Sequence, residues 1–216
     1  MIALLPGESR ALFPRLMEEM YDLRQSAVRA GLNRSSVAAN RLAVVDYFDS
    51  LEPLYVLALD EAERLAGALR LLPTTGATML NDALTTASLD GIRIASPLIW
   101  EASRLTLRGA GDSRDEQNGV DRTIGELGVA INDIAEAAAL THLIGVFDRA
   151  AHAMLSLCGC GGEAFAPPMT FDGVEMNFVV YEVGAAMDAR FRPFAGEAAR
   201  PAINLADVER RRFRGR

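Results

Sequence analysis

Lysine is absent from this chain, whose 22 basic residues are all Arg and are outnumbered by 29 acidic ones. The formal charge of -7 argues against a nucleic-acid backbone as the main partner, because neutralising phosphates needs a dense basic surface. Cysteine is nearly absent too. Cys158 and Cys160 are the only pair, and one intervening glycine is too tight a spacing for an ordinary disulfide in a relaxed chain. Histidine is as scarce, and His142 and His152 match no zinc spacing with those thiols. A packing role for the cysteines and no metal or cofactor are therefore expected. No apolar run reaches the roughly 18 residues needed to cross a bilayer, and "MIALLPGESR" is not a basic leader followed by a long apolar core. These features predict no membrane span and a cytoplasmic protein.

What remains is a chain of 216 residues, 50% hydrophobic, enough to bury a core without external staples. Residues 1–195 read as a single domain, and 196–216 as a loosely attached tail ending in the basic "VERRRFRGR".

Apolar residues Leu12, Leu16, Met20, Leu23 and Ala27 recur every three or four positions. They predict an amphipathic helix over about 10–30, with Pro14 tolerated in its first turn and Arg24 at the border of the buried stripe. The polar stretch at 31–41 reads as a loop or short irregular helix. "PLYVLALD" (53–60) and "AGALRLLP" (66–73) predict an antiparallel hairpin, and "IWEASRLTL" (99–107) a further strand. Helices are expected over 122–140 and 148–159, with short strands at 141–147 and 177–184. This order of elements is α+β, with a mixed, mostly antiparallel sheet flanked by helices.

Charge inside those apolar strands marks the place where chemistry would sit. Arg70 and Arg104 each lie in a strand where an unpaired charge is expensive, so they require carboxylates, and Asp46, Asp49 and Glu101 are the candidates. A structural ion-pair network and a binding site both satisfy that requirement. Glu101 and Arg104 are three positions apart and would point to opposite faces of a regular strand. Either a bulge re-aims one of them or they serve different places. The Gly-Ala-Gly at 109–111 could cradle a phosphate ahead of the next helix, or could simply connect two elements.

Read together, "YDLR" (21–24), "DYFD" (46–49), "LRLLPTTG" (69–76) and "IWEASR" (99–104) resemble the successive signatures of the acyl-homoserine-lactone synthases, the LuxI-type autoinducer synthases. The resemblance runs over roughly 10–192 and takes in "APPMTFDGVEMNFVVYEV". It implies a fold similar to the GCN5-related N-acetyltransferases. It also implies a reaction in which an acyl group passes from acyl carrier protein or coenzyme A to the amine of S-adenosylmethionine, followed by lactonisation with loss of methylthioadenosine. By the same resemblance Arg24, Asp46, Asp49, Arg70 and Arg104 would shape the S-adenosylmethionine site, and the catalytic Glu101 would sit nearest the reacting amine. Val28, Asn33, Arg34 and Val44 stand where the family has aromatic or acidic residues. A same-fold acyltransferase with another amine acceptor, or a catalytically impaired homologue, is the alternative. The basic tail would suit an acidic carrier protein, since opposite charge speeds encounter.

Overall fold

The computed structural model describes residues 1–31, 44–86, 93–109, 114–171, 173–196 and 202–208, and the side chains of these except at 28–31, 86 and 114–119. The expected loop after Gly31, the Val28 side chain, Asn33, Arg34, most of the Gly-Ala-Gly connection and the basic end of the tail lie outside the described residues.

Eight strands form one sheet in the order β6-β7-β5-β4-β3-β2-β1-β8. Their ranges are β1 Ile2–Pro6, β2 Leu54–Leu59, β3 Leu65–Pro73, β4 Ile99–Leu107, β5 His142–Asp148, β6 Glu163–Phe171, β7 Val174–Glu182 and β8 Ile203–Asn204. Pairing is antiparallel except for β4 with β5 and β1 with β8. The helices are α1 Pro14–Gly31, α2 Met79–Thr86, α3 Arg114–Ala137, α4 Arg149–Leu157 and α5 Ala185–Ala195. The expected α+β class with a mixed sheet is what the chain adopts.

Alternation along the strands gives the sheet two differently covered faces. Val56, Leu69, Leu71, Ala102 and Leu105 point to one face, where they form a single core with Ile124 and Leu127 of α3 and with residues of α4 and α5. On the opposite face Tyr55, Leu57 and Ala68 pack under α1. On that same face Leu72, Ile144 and Val146 pack under α2 and the 3-10 turn Tyr47–Leu51. The apolar cover there is thus split in two, and Arg70 lies on β3 between Ala68 of one cluster and Leu72 of the other.

Several elements differ from the expectation. The first strand, "IALLP", is too short to declare itself, yet it pairs with β2 along its whole length. β6 contains Pro167 and Pro168, which disqualify a central strand but are tolerated at an edge, where β6 lies. α5 carries Pro193 in its last turn. The segment expected to hang loosely instead returns to the sheet over 202–208: β8 pairs in parallel with β1, and Ala206 is buried. The cause is the exposed edge of β1, whose N–H and C=O groups otherwise lack partners. Among the described residues, no helix is long and apolar enough to cross a membrane, and no group of His, Cys, Asp and Glu is placed to hold a metal ion.

Candidate active site

The split in the apolar cover is filled by charge. Asp46 caps the 3-10 turn and Asp49 is its third residue, and the two form a reciprocal capping box. The Asp46 carboxylate accepts from the Asp49 N–H at 3.1 Å, and the Asp49 carboxylate accepts from the Asp46 N–H at 3.0 Å. Their three-residue spacing therefore has a local structural cause. The remaining lone pairs reach outward. Asp49 accepts from Arg24 of α1 at 2.8 Å, from Arg70 at 3.2 Å and from the Tyr55 hydroxyl at 3.1 Å. Asp46 accepts from Arg70 at 2.5 Å and from Arg104 at 2.9 Å. Arg70 is 0% exposed and Arg24 1%, so neither guanidinium could sit there uncompensated. Their planes lie over aromatic rings, Arg24 near Tyr21 and Tyr55, Arg70 near Phe48.

The facing problem posed by Glu101 and Arg104 is solved by a bulge. Ala68 pairs with Thr106 but Arg70 pairs with Ser103, so two steps on β3 oppose three on β4. Arg104 takes the extra position with φ +59°, a left-handed conformation uncommon for a residue bearing a Cβ. The displaced strand sends Glu101, Ser103 and Arg104 to the charged face, with Ser103 Oγ accepting from Arg70 Nε at 3.3 Å. Recorded pairing between β4 and β5 ends at Ser103 and Val146, beside the bulge.

Glu101 is 0% exposed. Its Oε2 accepts from the Leu80 N–H in the first turn of α2 at 2.7 Å. Its Oε1 has no hydrogen-bond partner among the described residues, and neither do Arg24 Nε and Nη2 or Arg70 Nη2. Burial pushes the Glu101 carboxyl above its ordinary value, partly offset by the Leu80 N–H and the Arg70 charge. Asp46 moves the other way: burial raises it, but Arg70 and Arg104 outweigh that and hold it down at about 2. Arg70, which burial alone would depress, is raised by Asp46, Asp49 and Glu101. The site thus offers a proton acceptor next to a permanently ionised pair, with unpaired donors and an unpaired acceptor in one buried cluster.

All six residues singled out in the sequence fall in this cluster. The Leu80 N–H, Ser103 and Tyr55 belong to it as well. A backbone donor leaves no signal in sequence, and Tyr55 looks like any apolar strand residue. On the other face, Ala102 and Leu105 of the same strand floor an apolar cavity of about 40 Å³, together with Leu143. Leu127 and Gly128 of α3 and Phe191 of α5 roof it.

A family model described as autoinducer synthase matches residues 11–183. The chain belongs to the autoinducer synthase family. An acyl-homoserine-lactone synthase of Rhizobium etli is 30% identical over 137 residues, a match covering 63% of this chain and 63% of that protein. One from Acinetobacter nosocomialis is 32% identical over 143 residues, covering 64% and 77%. In fold, this autoinducer synthase family member is similar to BjaI, a CoA-dependent acyl-homoserine lactone synthase solved with SAM and isopentyl-CoA. That likeness has a TM-score of 0.69, 18% identity and 99% of both chains covered. It is also similar to the AHL synthase LasI, with a TM-score of 0.66, 21% identity and coverage of 89% and 93%. The fold extends to Tetrahymena GCN5 at a TM-score of 0.51, with 10% identity over 86% of this chain. The expected likeness to the GCN5-related acetyltransferases is therefore shown for the fold.

Proposed function

We propose that this chain is an acyl-homoserine-lactone synthase, a cytoplasmic acyltransferase that makes a quorum-sensing signal from S-adenosylmethionine and an acyl thioester on acyl carrier protein or coenzyme A. The observation that carries the reading is Glu101, a buried carboxylate with one oxygen fixed by the Leu80 N–H and the other unpartnered, standing beside unpaired arginine donors. An amino-acid head group has both of the complements such a cluster lacks. Its carboxylate suits the free N–H groups of Arg24 and Arg70, and its amine suits Glu101.

In the first step the amine nitrogen attacks the thioester carbonyl. A C–N bond forms, the C–S bond breaks, and the thiol of the carrier departs. The α-amino group has an ordinary pKa of about 7.7–8.0, so a strong base is unnecessary, and a positioned carboxylate taking that proton contributes about 10²–10⁴-fold. Burial raises the basicity of Glu101 for this task. In the second step the methionine carboxylate attacks its own γ-carbon, a C–O bond forms, and the C–S⁺ bond breaks to release neutral methylthioadenosine. The nucleophile is already ionised and the sulfonium is already a good leaving group. There the protein's part is to hold a folded substrate, and well-oriented intramolecular reactions reach effective molarities of about 10⁵–10⁸ M. Arg24, Asp46, Asp49, Arg70 and Arg104 form the rigid wall that does so. The acyl chain lies in the apolar cavity beneath Ala102 and Leu105, reached where β4 and β5 part company.

Isotope-labelled methionine fed to cells expressing the protein tests the reading by mass spectrometry of organic extracts, with Glu101→Gln as control. A labelled acyl-homoserine lactone is expected from the wild type and a loss of at least about a hundredfold from the variant. Absence of labelled lactone from soluble wild-type protein supplied with acyl donors would move the acceptor to another amine. An unchanged rate in a folded Glu101→Gln variant would remove Glu101 as the base.

A further inference from the structure

The cavity under β4 is small as well as apolar. Two aromatic rings occupy space that a glycine leaves free. The Phe147 ring covers Gly145, where an added Cβ would come within 2.3 Å of it, and the Phe191 ring lies against Gly128, where a Cβ would come within 2.1 Å. These rings are held differently. Phe147 springs from the sheet itself, on β5 next to the end of its pairing with β4. Phe191 comes from α5 and reaches across to α3, so its ring forms part of the roof opposite the sheet. Tyr181, in contact with Phe191 at a centroid distance of 5.7 Å, is pinned by its hydroxyl, which donates to the Cys160 carbonyl at 2.8 Å. Phe191 has only packing to hold it. A chain entering between the strands meets its ring at the seam of the two helices.

The size of the space fixes what fits. A water-sized group needs roughly 10–15 Å³ by the same measure, so about 40 Å³ takes three or four methylene-sized groups. We infer that Phe191 is the chain-length stop of this enzyme, and that with its ring on Gly128 the pocket selects short acyl donors of butanoyl to pentanoyl length. The inference rests on the acyl assignment given above, and deepens it by naming the substrate class. A straight long chain would have to displace the ring, and Gly128 leaves that ring no backbone gap to retreat into. The seam beyond the ring runs between α3 and α5, so a smaller side chain at 191 would lengthen the pocket along it.

Purified wild-type protein and the Phe191→Leu and Phe191→Ala variants, each incubated with S-adenosylmethionine and an equimolar mixture of butanoyl, hexanoyl, octanoyl and decanoyl thioesters, provide the test, with the lactones quantified by mass spectrometry. The wild type should yield butanoyl lactone as its main product. The ratio of octanoyl to butanoyl product should rise about tenfold or more in Phe191→Leu, as added methylenes find apolar room, and further in Phe191→Ala. The wild-type profile alone can overturn the assignment, whatever the folding of the variants, if hexanoyl, octanoyl or decanoyl lactone is its main product. Unchanged ratios in a folded Phe191→Leu protein would overturn Phe191 as the stop. If the wild type makes no lactone from any donor, it is the synthase reading that fails.

Discussion

β4 gives the sheet two opposite characters within five residues. Glu101, Ser103 and Arg104 leave it on one face, into a cluster of three guanidiniums and three carboxylates. Ala102 and Leu105 leave it on the other, into a small apolar pocket under α3 and α5. On the charged face geometry is fixed by direction: each hydrogen bond has a partner and an angle, and the unpaired atoms state what chemistry would satisfy them. On the apolar face geometry is fixed by volume, and nothing but the shape of the packing says what would fit. Polar construction therefore specifies a reaction, and apolar construction specifies a size. The bulge at Arg104 lets one strand serve both, since it shifts the alternation by one residue and brings Arg104 round beside Glu101 and Ser103.

The dependence of the charged face on Asp49 predicts the largest effect. Asp49 accepts from Arg24, Arg70, the Tyr55 hydroxyl and the Asp46 N–H. Asp49→Ala would strand buried positive charge, and removal of one partner from a buried pair costs about 3–5 kcal/mol. Urea unfolding should show it in full, and a loss below about 1 kcal/mol would mean that water reaches the cluster. The apolar face is expected to break more gently and for a steric reason. A Cβ at Gly125 would sit 2.4 Å from backbone atoms of Phe194 and Ala195, so Gly125→Ala must push α3 from α5. Overpacking of this kind costs about 1–3 kcal/mol. The same unfolding measurement checks it, and an unaltered stability would show that the helix pair slides freely.

Legibility in the sequence followed the same division. An Arg inside an apolar strand demands carboxylates, so the sequence alone groups Arg70, Arg104, Asp46, Asp49 and Glu101. The motifs around them pointed to the family as well. What could not be read was the device that assembles them. A left-handed Arg in mid-strand goes against ordinary preference, and only the register between β3 and β4 reveals it. α2 was unreadable because "MLNDALTT" is short and polar residues interrupt its period, although its Leu80 N–H anchors Glu101. β6 was hidden by its prolines and β8 by its two-residue length. The pocket had no sequence signature, since its volume depends on where the Phe191 ring falls relative to Gly128.

Acid titration sharpens the comparison inside the charged face. Asp46 has a folded value of about 2 against an ordinary 3.8. Between these values the unfolded chain takes up the proton first, so the stability Asp46 provides is intact above about pH 4 and is lost as pH falls toward 2. The shift is worth about 2 kcal/mol. Glu101 has the opposite sign. Its raised folded value means the native state keeps its proton longer, so its share is fully present below the ordinary 4.5 and is lost as pH rises through the higher folded value. Denaturant midpoints across pH 2–5 should therefore fall less steeply toward acid in Asp46→Asn than in the wild type. Equal slopes would place the acid sensitivity elsewhere.

The smallest change in stability is expected at Arg104, where two effects oppose each other. Its left-handed backbone costs about 1–2 kcal/mol in a residue with a Cβ, and Arg104→Gly removes that cost. The substitution also removes the bond to Asp46, which counts for less because Arg104 and Asp46 remain 21% and 17% exposed, and such pairs contribute about 0–1 kcal/mol. A glycine in a strand gives back another 0.5–1 kcal/mol or so in chain entropy. The sum runs from about −1 to about +1.5 kcal/mol, on either side of zero. A strained residue kept at no net gain in stability has to be kept for what it touches. On the proposed assignment of Arg104 to the S-adenosylmethionine site, loss of a charge-assisted hydrogen bond to that substrate, at about 1.5–3 kcal/mol, should appear as a rise of about tenfold or more in its KM in a variant whose unfolding is little altered. A variant that instead unfolds easily while retaining its KM would return Arg104 to a purely structural place in the bulge.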